Sequence, residues 1–241
     1  MQPDLLDWSL WSEPQCPLLR GDFLLETTVF LLEEENRVLY DRIQERNLVR
    51  QYDLLINCVE IGIYQGVRAF DKFFLWSLNA AAVSNISQFG GRFREEPIYL
   101  ENHIPPHYAQ VNHLMDQFIS TVQENWFVWS ETTLAAYVLW RMNWIHPFIE
   151  GNGRTARAAC YYILCVKFGG LPGGSIIVPE RIRLERKPYY EALKEADIAW
   201  QSGELKFPKM EEYISRLFDE QVMDITPSSG DISGVVTPMS Q

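Results

Sequence analysis

Apolar residues recur at helical spacing through residues 23–69, and Pro and Gly are almost absent there until Gly62, so this part of the chain is predicted to be helical. Residues 70–86, FDKFFLWSLNAAAVSNI, continue the pattern. They give way to GGRFREEPIYLENHIPP at 90–106, which has two glycines at one end, two prolines at the other and short alternating apolar positions between. That is the pattern of a hairpin or an extended flap. Helical spacing resumes over 107–129. Ser130 then offers an N-cap and Glu131 an acid in the first turn, which predicts a helix over 131–145 with Leu134, Val138 and Met142 along one face. Its aromatic residues Tyr137, Trp140 and Trp144 read as core. The next helix is predicted from near Arg154 to Phe168, with Gly169 and Gly170 as its stop. A turn and a short apolar run occupy 172–179, and helical spacing returns over 188–224. The Ser-, Gly- and Pro-rich residues from Thr226 onward have little to bury and are predicted to be disordered. The fold class predicted is all-α, with a small β-hairpin flap.

Composition narrows the functions open to such a fold. With 241 residues, 47% of them hydrophobic, the chain can bury a sizeable core. A formal charge of -11 repels polyanions over most of the surface, so neither nucleic acid nor a membrane is an expected partner. The four cysteines, Cys16, Cys58, Cys160 and Cys165, form no Cys-x-x-Cys pair, which argues against a disulfide framework or a zinc site. His103 and His107 flank Pro105 and Pro106 and so cannot sit one helical turn apart as zinc ligands. The first eleven residues include Asp4 and Asp7 and lack the pattern of a secretory signal, and no run approaches the roughly 20 apolar residues of a spanning helix. The expected location is cytoplasmic.

The chemistry is concentrated in HPFIEGNGRTAR, residues 146–157. Gly151 and Gly153 allow close backbone approach just before a helix, and a helix start presents unpaired N–H groups carrying partial positive charge. Arg154 and Arg157, three residues apart, can reach the same side and take separate phosphate oxygens. They could equally form a solvated basic face, but cations at a helix N-terminus oppose the macrodipole unless an anion sits there. Glu150 reads either as an N-cap acid or as a carboxylate for Mg²⁺, an ion that favours one or two carboxylates plus phosphate oxygens. A histidine at a helix end commonly caps it. Beside a phosphate cradle, His146 reads instead as a general base, because its ordinary pKa suits proton transfer near neutrality. Together these groups suit transfer of a phosphorus-linked group to a hydroxyl.

These residues resemble the signature of the Fic family, or Fido fold, His-Pro-Phe-x-Asp/Glu-Gly-Asn-Gly-Arg-x-x-Arg, and every fixed position is filled. The likeness extends to GGRFR at 90–94 with Pro105 and Pro106, which look like the family's flap, and to YYEALKEAD at 189–197, which looks like its nucleotide-contacting helix. Its coverage is roughly residues 75–215. The resemblance implies a protein adenylyltransferase that moves AMP from ATP to a Ser, Thr or Tyr hydroxyl of a target protein. In that reading His146 is the general base, Phe148 anchors the loop and Glu150 binds Mg²⁺. Gly151, Asn152 and Gly153 form the anion hole, Arg154 holds the phosphate chain and Arg157 the terminal phosphate. Tyr189 and Tyr190 lie near adenosine, and Asp197 stands where many members carry Asn. The flap, 91–106, would grip the target backbone as an added strand. The implied division is an N-terminal helical region over 1–74, a catalytic domain over 75–222 and a flexible tail over 223–241.

Many members are silenced by a helix bearing Ser/Thr-x-x-x-Glu-Gly/Asn. Glu35 and Asn36 fit its end, while Leu31 stands in the Ser/Thr place; residues 120–125, STVQEN, fit in full but lie inside a predicted core helix, where such a short pattern arises by chance. A separate antitoxin-like inhibitor is the alternative source of control. Three other functional readings remain open at this level: a non-catalytic nucleotide-binding or interaction module, an enzyme that removes AMP, and one that transfers another phosphate-linked group.

Overall fold

A computed structural model of the chain describes residues 36–100 and 103–224. Eight α-helices are formed among them: α1 (Arg37–Gln65), α2 (Lys72–Ala82), α3 (Tyr108–Asn125), α4 (Glu131–Ile145), α5 (Asn152–Phe168), α6 (Val178–Leu184), α7 (Arg186–Gln201) and α8 (Pro208–Met223), with a 3₁₀ turn at Gly66–Ala69. The fold is all-α. None of the described residues of the predicted flap pairs as a strand, and residues 101 and 102 lie outside the described chain. A lone extended segment has no neighbour with which to build a ladder. Here the Glu96 and Pro106 carbonyls accept from the Arg94 side chain.

Helices α4 and α5 form the centre and are joined by the short loop 146–151. Both are apolar around most of their circumference, which is the pattern of a helix buried on all sides. Trp140, Leu134 and Leu139 of α4 and Tyr162, Ile163 and Leu164 of α5 are fully buried. Tyr137 and Trp140 are core residues, packed against Phe207 and, for Tyr137, Trp129. Ser130 caps α4 by accepting from the Thr133 amide at 3.0 Å. Gly169 takes the left-handed conformation (φ 86°) that stops α5, and the Gly170 and Gly169 amides close on the carbonyls of Cys165 and Val166.

Around this pair, α1 and α2 pack on α5, and α8 covers α4. The α1 stripe facing inward is polar at one end (Gln44, Asn47, Gln51) and apolar at the other (Leu55, Val59, Gly62). Asn47 and Gln51 donate to the Ser84 and Leu78 carbonyls at 2.7 and 2.9 Å. At Gly62 the absence of a side chain lets α1 lie directly on Tyr162. α1 thus shares one core with the helices that follow, and α2 runs continuously across residue 74.

The single helical stretch predicted over 188–224 is two helices, α7 and α8, broken at 202–207. Gly203 adopts φ 80° there, and Pro208 begins the next helix because it has no amide to continue the previous one. Residues 178–184, within and just after the predicted turn, form α6 with Pro179 in its first turn. The loop before it is held by buried Gln221 of α8, which donates to the Pro172 and Gly173 carbonyls and accepts from the Val178 amide at 2.8 Å. No described helix is long and apolar enough to cross a membrane.

Candidate active site

The loop between α4 and α5 is built by hydrogen bonds that its own residues supply. His146 follows α4 with its amide on the Met142 carbonyl (2.9 Å) and takes a left-handed backbone, φ 50° and ψ 63°. Phe148 is fully buried against Phe93, with ring centroids 5.5 Å apart. Asn152 closes the loop at both ends of its amide. Its Oδ1 accepts from the Phe148 amide and its Nδ2 donates to the Phe148 carbonyl, each at 2.8 Å. Gly151 has φ 76°, and a Cβ there would meet Val83 Cγ1 at 2.6 Å, so backbone geometry and space both demand glycine. The result is a tight turn that delivers the chain into the N-terminus of α5, where first-turn amides have no intrahelical acceptor.

Asn79 of α2 fixes this turn from outside. Its Nδ2 donates to the Glu150 carbonyl (2.8 Å) and to Thr155 Oγ1 (3.3 Å), and its Oδ1 accepts from the Gly91 amide (3.0 Å). One buried amide therefore joins the loop, α5 and the start of the flap.

Arg154 and Arg157 are both buried, which is unusual for cations. Arg154 Nη1 donates to Gln44 Oε1 of α1 and to the Ala82 carbonyl (2.6 Å) at the C-terminus of α2, where the helix dipole favours a cation. Burial pulls the Arg157 guanidinium down to about 10; neighbouring Tyr189, Tyr52 and Tyr190 act against that shift, and Arg154 adds to it. Two neighbouring buried cations, with Arg154 disfavouring the charge on Arg157, form a place where an anion is welcome. Both border a cavity of about 350 Å³ whose other walls include Gln51 and Tyr52 of α1, Ile177, and Glu180 and Arg183 of α6. Glu150, half-buried, has its carboxyl pushed up to about 6 by burial, with Arg154 opposing the shift. Among the described residues no group of three His, Cys, Asp or Glu side chains gathers as a metal cage. A cation at Glu150 would therefore complete its shell from ligand oxygens and water, which is the habit of Mg²⁺.

A family model described as the Fic/DOC family matches residues 69–164, the span from the end of the 3₁₀ turn to within α5. Over that span the chain is similar to the Fic family. Two similar sequences are the proteins named "Protein adenylyltransferase Fic" of Drosophila persimilis and Drosophila melanogaster. Each is 29% identical, over 180 and 175 residues, covering 72% of this chain and 33% and 34% of the relative. The chain thus spans about a third of the length of these relatives. Among solved structures, Fic-1 (aa134–508) from C. elegans aligns with a TM-score of 0.60 at 19% identity, covering 86% of this chain and 58% of that one. A Fic-domain-containing signaling protein from Bacteroides thetaiotaomicron aligns with a TM-score of 0.54 at 15% identity, covering 73% and 69%. These two likenesses carry the Fic fold.

Against the Fic signature, the structure brings His146, Glu150, Gly151, Asn152, Gly153, Arg154 and Arg157 onto one turn and the helix it feeds. The Asn152 side chain braces Phe148 with one donor and one acceptor, and its backbone amide lies in the first turn of α5. Tyr189 is 2% exposed, and its hydroxyl accepts from Asn143 Nδ2 at 2.9 Å; it is a core residue. Half-buried Tyr190 is the member of the pair with surface to offer. Asp197 accepts from the Trp140 indole at 2.8 Å, and burial raises its carboxyl pKa. Glu35 and the tail beyond residue 224 lie outside the described residues, whereas Glu124 of the STVQEN stretch is exposed on α3. Three residues that shape the site escape the signature: Asn79, Gln44 and Arg94. The first left a readable signal, an amide among apolar neighbours in SLNAAAV.

Proposed function

We propose that the chain is a protein adenylyltransferase that moves AMP from ATP to a hydroxyl of a target protein. The observation that carries this reading is the turn 146–153, which ends one helix on a histidine and starts the next on glycine-flanked amides, with two buried arginines on the following turn. In the proposed reaction His146 accepts the proton of the target hydroxyl, whose oxygen then attacks the α-phosphorus. The bond from that phosphorus to the bridging oxygen breaks, and pyrophosphate leaves. The first-turn amides of α5 hold charge on the phosphates, and Arg157 faces the cavity where a terminal phosphate would lie. Bound Mg²⁺, held by Glu150, would supply charge neutralisation on the phosphate oxygens. The target would lie along residues 91–106 as an extended segment. The similarity to the Drosophila proteins named protein adenylyltransferase Fic supports the reading.

The test is incubation with α-labelled ATP, Mg²⁺ and a lysate. Protein, this chain included, should become labelled, and His146→Ala should lower labelling by roughly a hundred- to ten-thousand-fold. Label that survives the substitution rejects the assigned base. A mass increment other than that of AMP would point to another phosphate-linked group, and loss of AMP from modified protein would point to the reverse reaction.

One observation favours a second reading, a module that binds nucleotide without turning it over: Arg154 is already held by Gln44 and the Ala82 carbonyl. Under the first reading Gln44→Ala loosens Arg154, removing one of its holds, and raises labelling. Tight ATP binding with no label in either variant supports the module. Control by an antitoxin-like partner would appear as loss of labelling on adding that protein.

A further inference from the structure

The geometry points to Arg94 as the residue that positions His146, by fixing the left-handed turn on which the imidazole is mounted. This rests on the assignment of His146 as the base. Arg94 is 2% exposed and, among the described residues, ion-pairs with no carboxylate; its four side-chain hydrogen bonds end on backbone carbonyls. Nε donates to the His146 carbonyl at 2.8 Å and Nη2 to that of Ile145 at 3.4 Å, while the Arg94 amide donates to the Pro147 carbonyl at 2.8 Å. These three consecutive carbonyls belong to the end of α4 and the residues just past it, where a helix leaves acceptors without partners and where its dipole favours a cation.

The remaining donors bind the two stems of the flap. Nη1 reaches the Glu96 carbonyl at 3.2 Å and Nη2 the Pro106 carbonyl at 2.5 Å. One planar fork thus spans both flap stems and the histidine's own peptide unit, a task for which an ammonium lacks the reach and the fixed angles. Left-handed backbone is costly for a residue with a side chain and persists only where the surroundings over-determine it. At His146 those surroundings are the Met142 carbonyl on one side and Arg94 on the other. Pro147 contributes no amide to the turn. A buried cation placed on the histidine's carbonyl, and not on a carboxylate, costs solvation that flap anchoring alone would not require.

Arg94→Lys keeps the charge and removes the fork. In the labelling assay it should lower kcat by about a hundredfold, the scale of a misplacement near 1 Å, with KM for ATP within about threefold, because Arg94 is placed on neither nucleotide nor metal. Arg94→Ala should fall at least as far, and Lys should recover part of that loss. Asp71→Ala, which removes the N-cap of α2 far from the loop, provides a variant of lowered stability in which kcat holds. A second readout needs no turnover: with ¹³C-labelled histidine, the His146 Cα and ring resonances should move in Arg94→Lys while those of exposed His113 on α3 stay in place. If kcat stays within threefold of the parent, or the loss falls on KM, the assignment is overturned. If the parent labels nothing, the adenylyltransferase reading fails and the resonances decide alone; an unmoved His146 signal then overturns the role of Arg94.

Discussion

Gly151→Ala tests the reasoning about the active loop at the level of single atoms. Two separable costs are built into the position. The backbone is at φ 76°, where a Cβ adds roughly 1–2 kcal/mol. The new methyl would also stand 2.6 Å from Val83 Cγ1 and 3.0 Å from Asn79 Nδ2, overpacking that adds about 1–3 kcal/mol. The sum, about 2–5 kcal/mol, is readable as a shift in urea midpoint with unchanged slope. Removing Val83 Cγ1 relieves only the Val83 part of the second cost. A cycle of Gly151→Ala, Val83→Ala and the double variant should therefore show a favourable coupling of roughly 1–2 kcal/mol, with the backbone cost remaining in the double variant. Strict additivity, with coupling under about 0.3 kcal/mol, would refute the contact. A loss under about 0.5 kcal/mol for Gly151→Ala alone would refute the whole account of why glycine stands there.

Further outcomes follow from the same geometry. Asn79→Ala removes three hydrogen bonds at once and should cost about 2–4 kcal/mol by urea denaturation; a loss under about 1 kcal/mol would mean the amide does not bind the loop to α2. Glu150 has its folded carboxyl raised from the ordinary 4.5 to about 6, so folding takes up a proton between those values, and this contribution to stability is present at low pH and lost as pH rises through 6. Glu150→Gln should therefore match the parent near pH 4 and exceed it by about 1 kcal/mol at pH 7.5 without ligand, allowing for its partial exposure; parallel curves across that range contradict the burial of its charge. If Mg²⁺ binds there, its affinity measured by titration should fall as pH drops below about 6, because the proton competes for the same oxygens. Asn152→Asp keeps the acceptor for the Phe148 amide but loses the donor to its carbonyl, and should cost less than Asn152→Ala in the same unfolding assay.

The central helices were readable because their signals are local: a serine cap, an apolar stretch and two glycines mark α4 and the end of α5 without help from the rest of the chain. The split of residues 188–224 was written in Gly203 and Pro208, yet apolar spacing runs past them on both sides and the periodic signal masked the break. The signature residues converge as the motif implies, since twelve contiguous positions cannot stray far. What the motif could not carry was the choice of partners. Asn152 braces the loop through Phe148, Tyr189 receives a hydrogen bond from Asn143 in the core, and Arg154 is held by α1 and α2. Each outcome depends on a residue far away in the chain or on loop closure, and neither is a property of spacing. The flap reads as a hairpin for the same reason: alternation marks extended backbone but not whether a neighbour exists to pair with it.

Along α1 the means of attachment changes from amide to hydrocarbon. Gln44, Asn47 and Gln51 hold the end beside the α4–α5 turn, while Leu55, Val59 and bare Gly62 hold the far end against Tyr162 and its neighbours. Water can replace an amide's partner at small net cost, whereas exposing packed hydrocarbon carries the full solvation penalty. The helix is consequently fastened like a door, hinged in oil at one edge and latched in exchangeable bonds at the other, and the latch edge is the one beside the arginines.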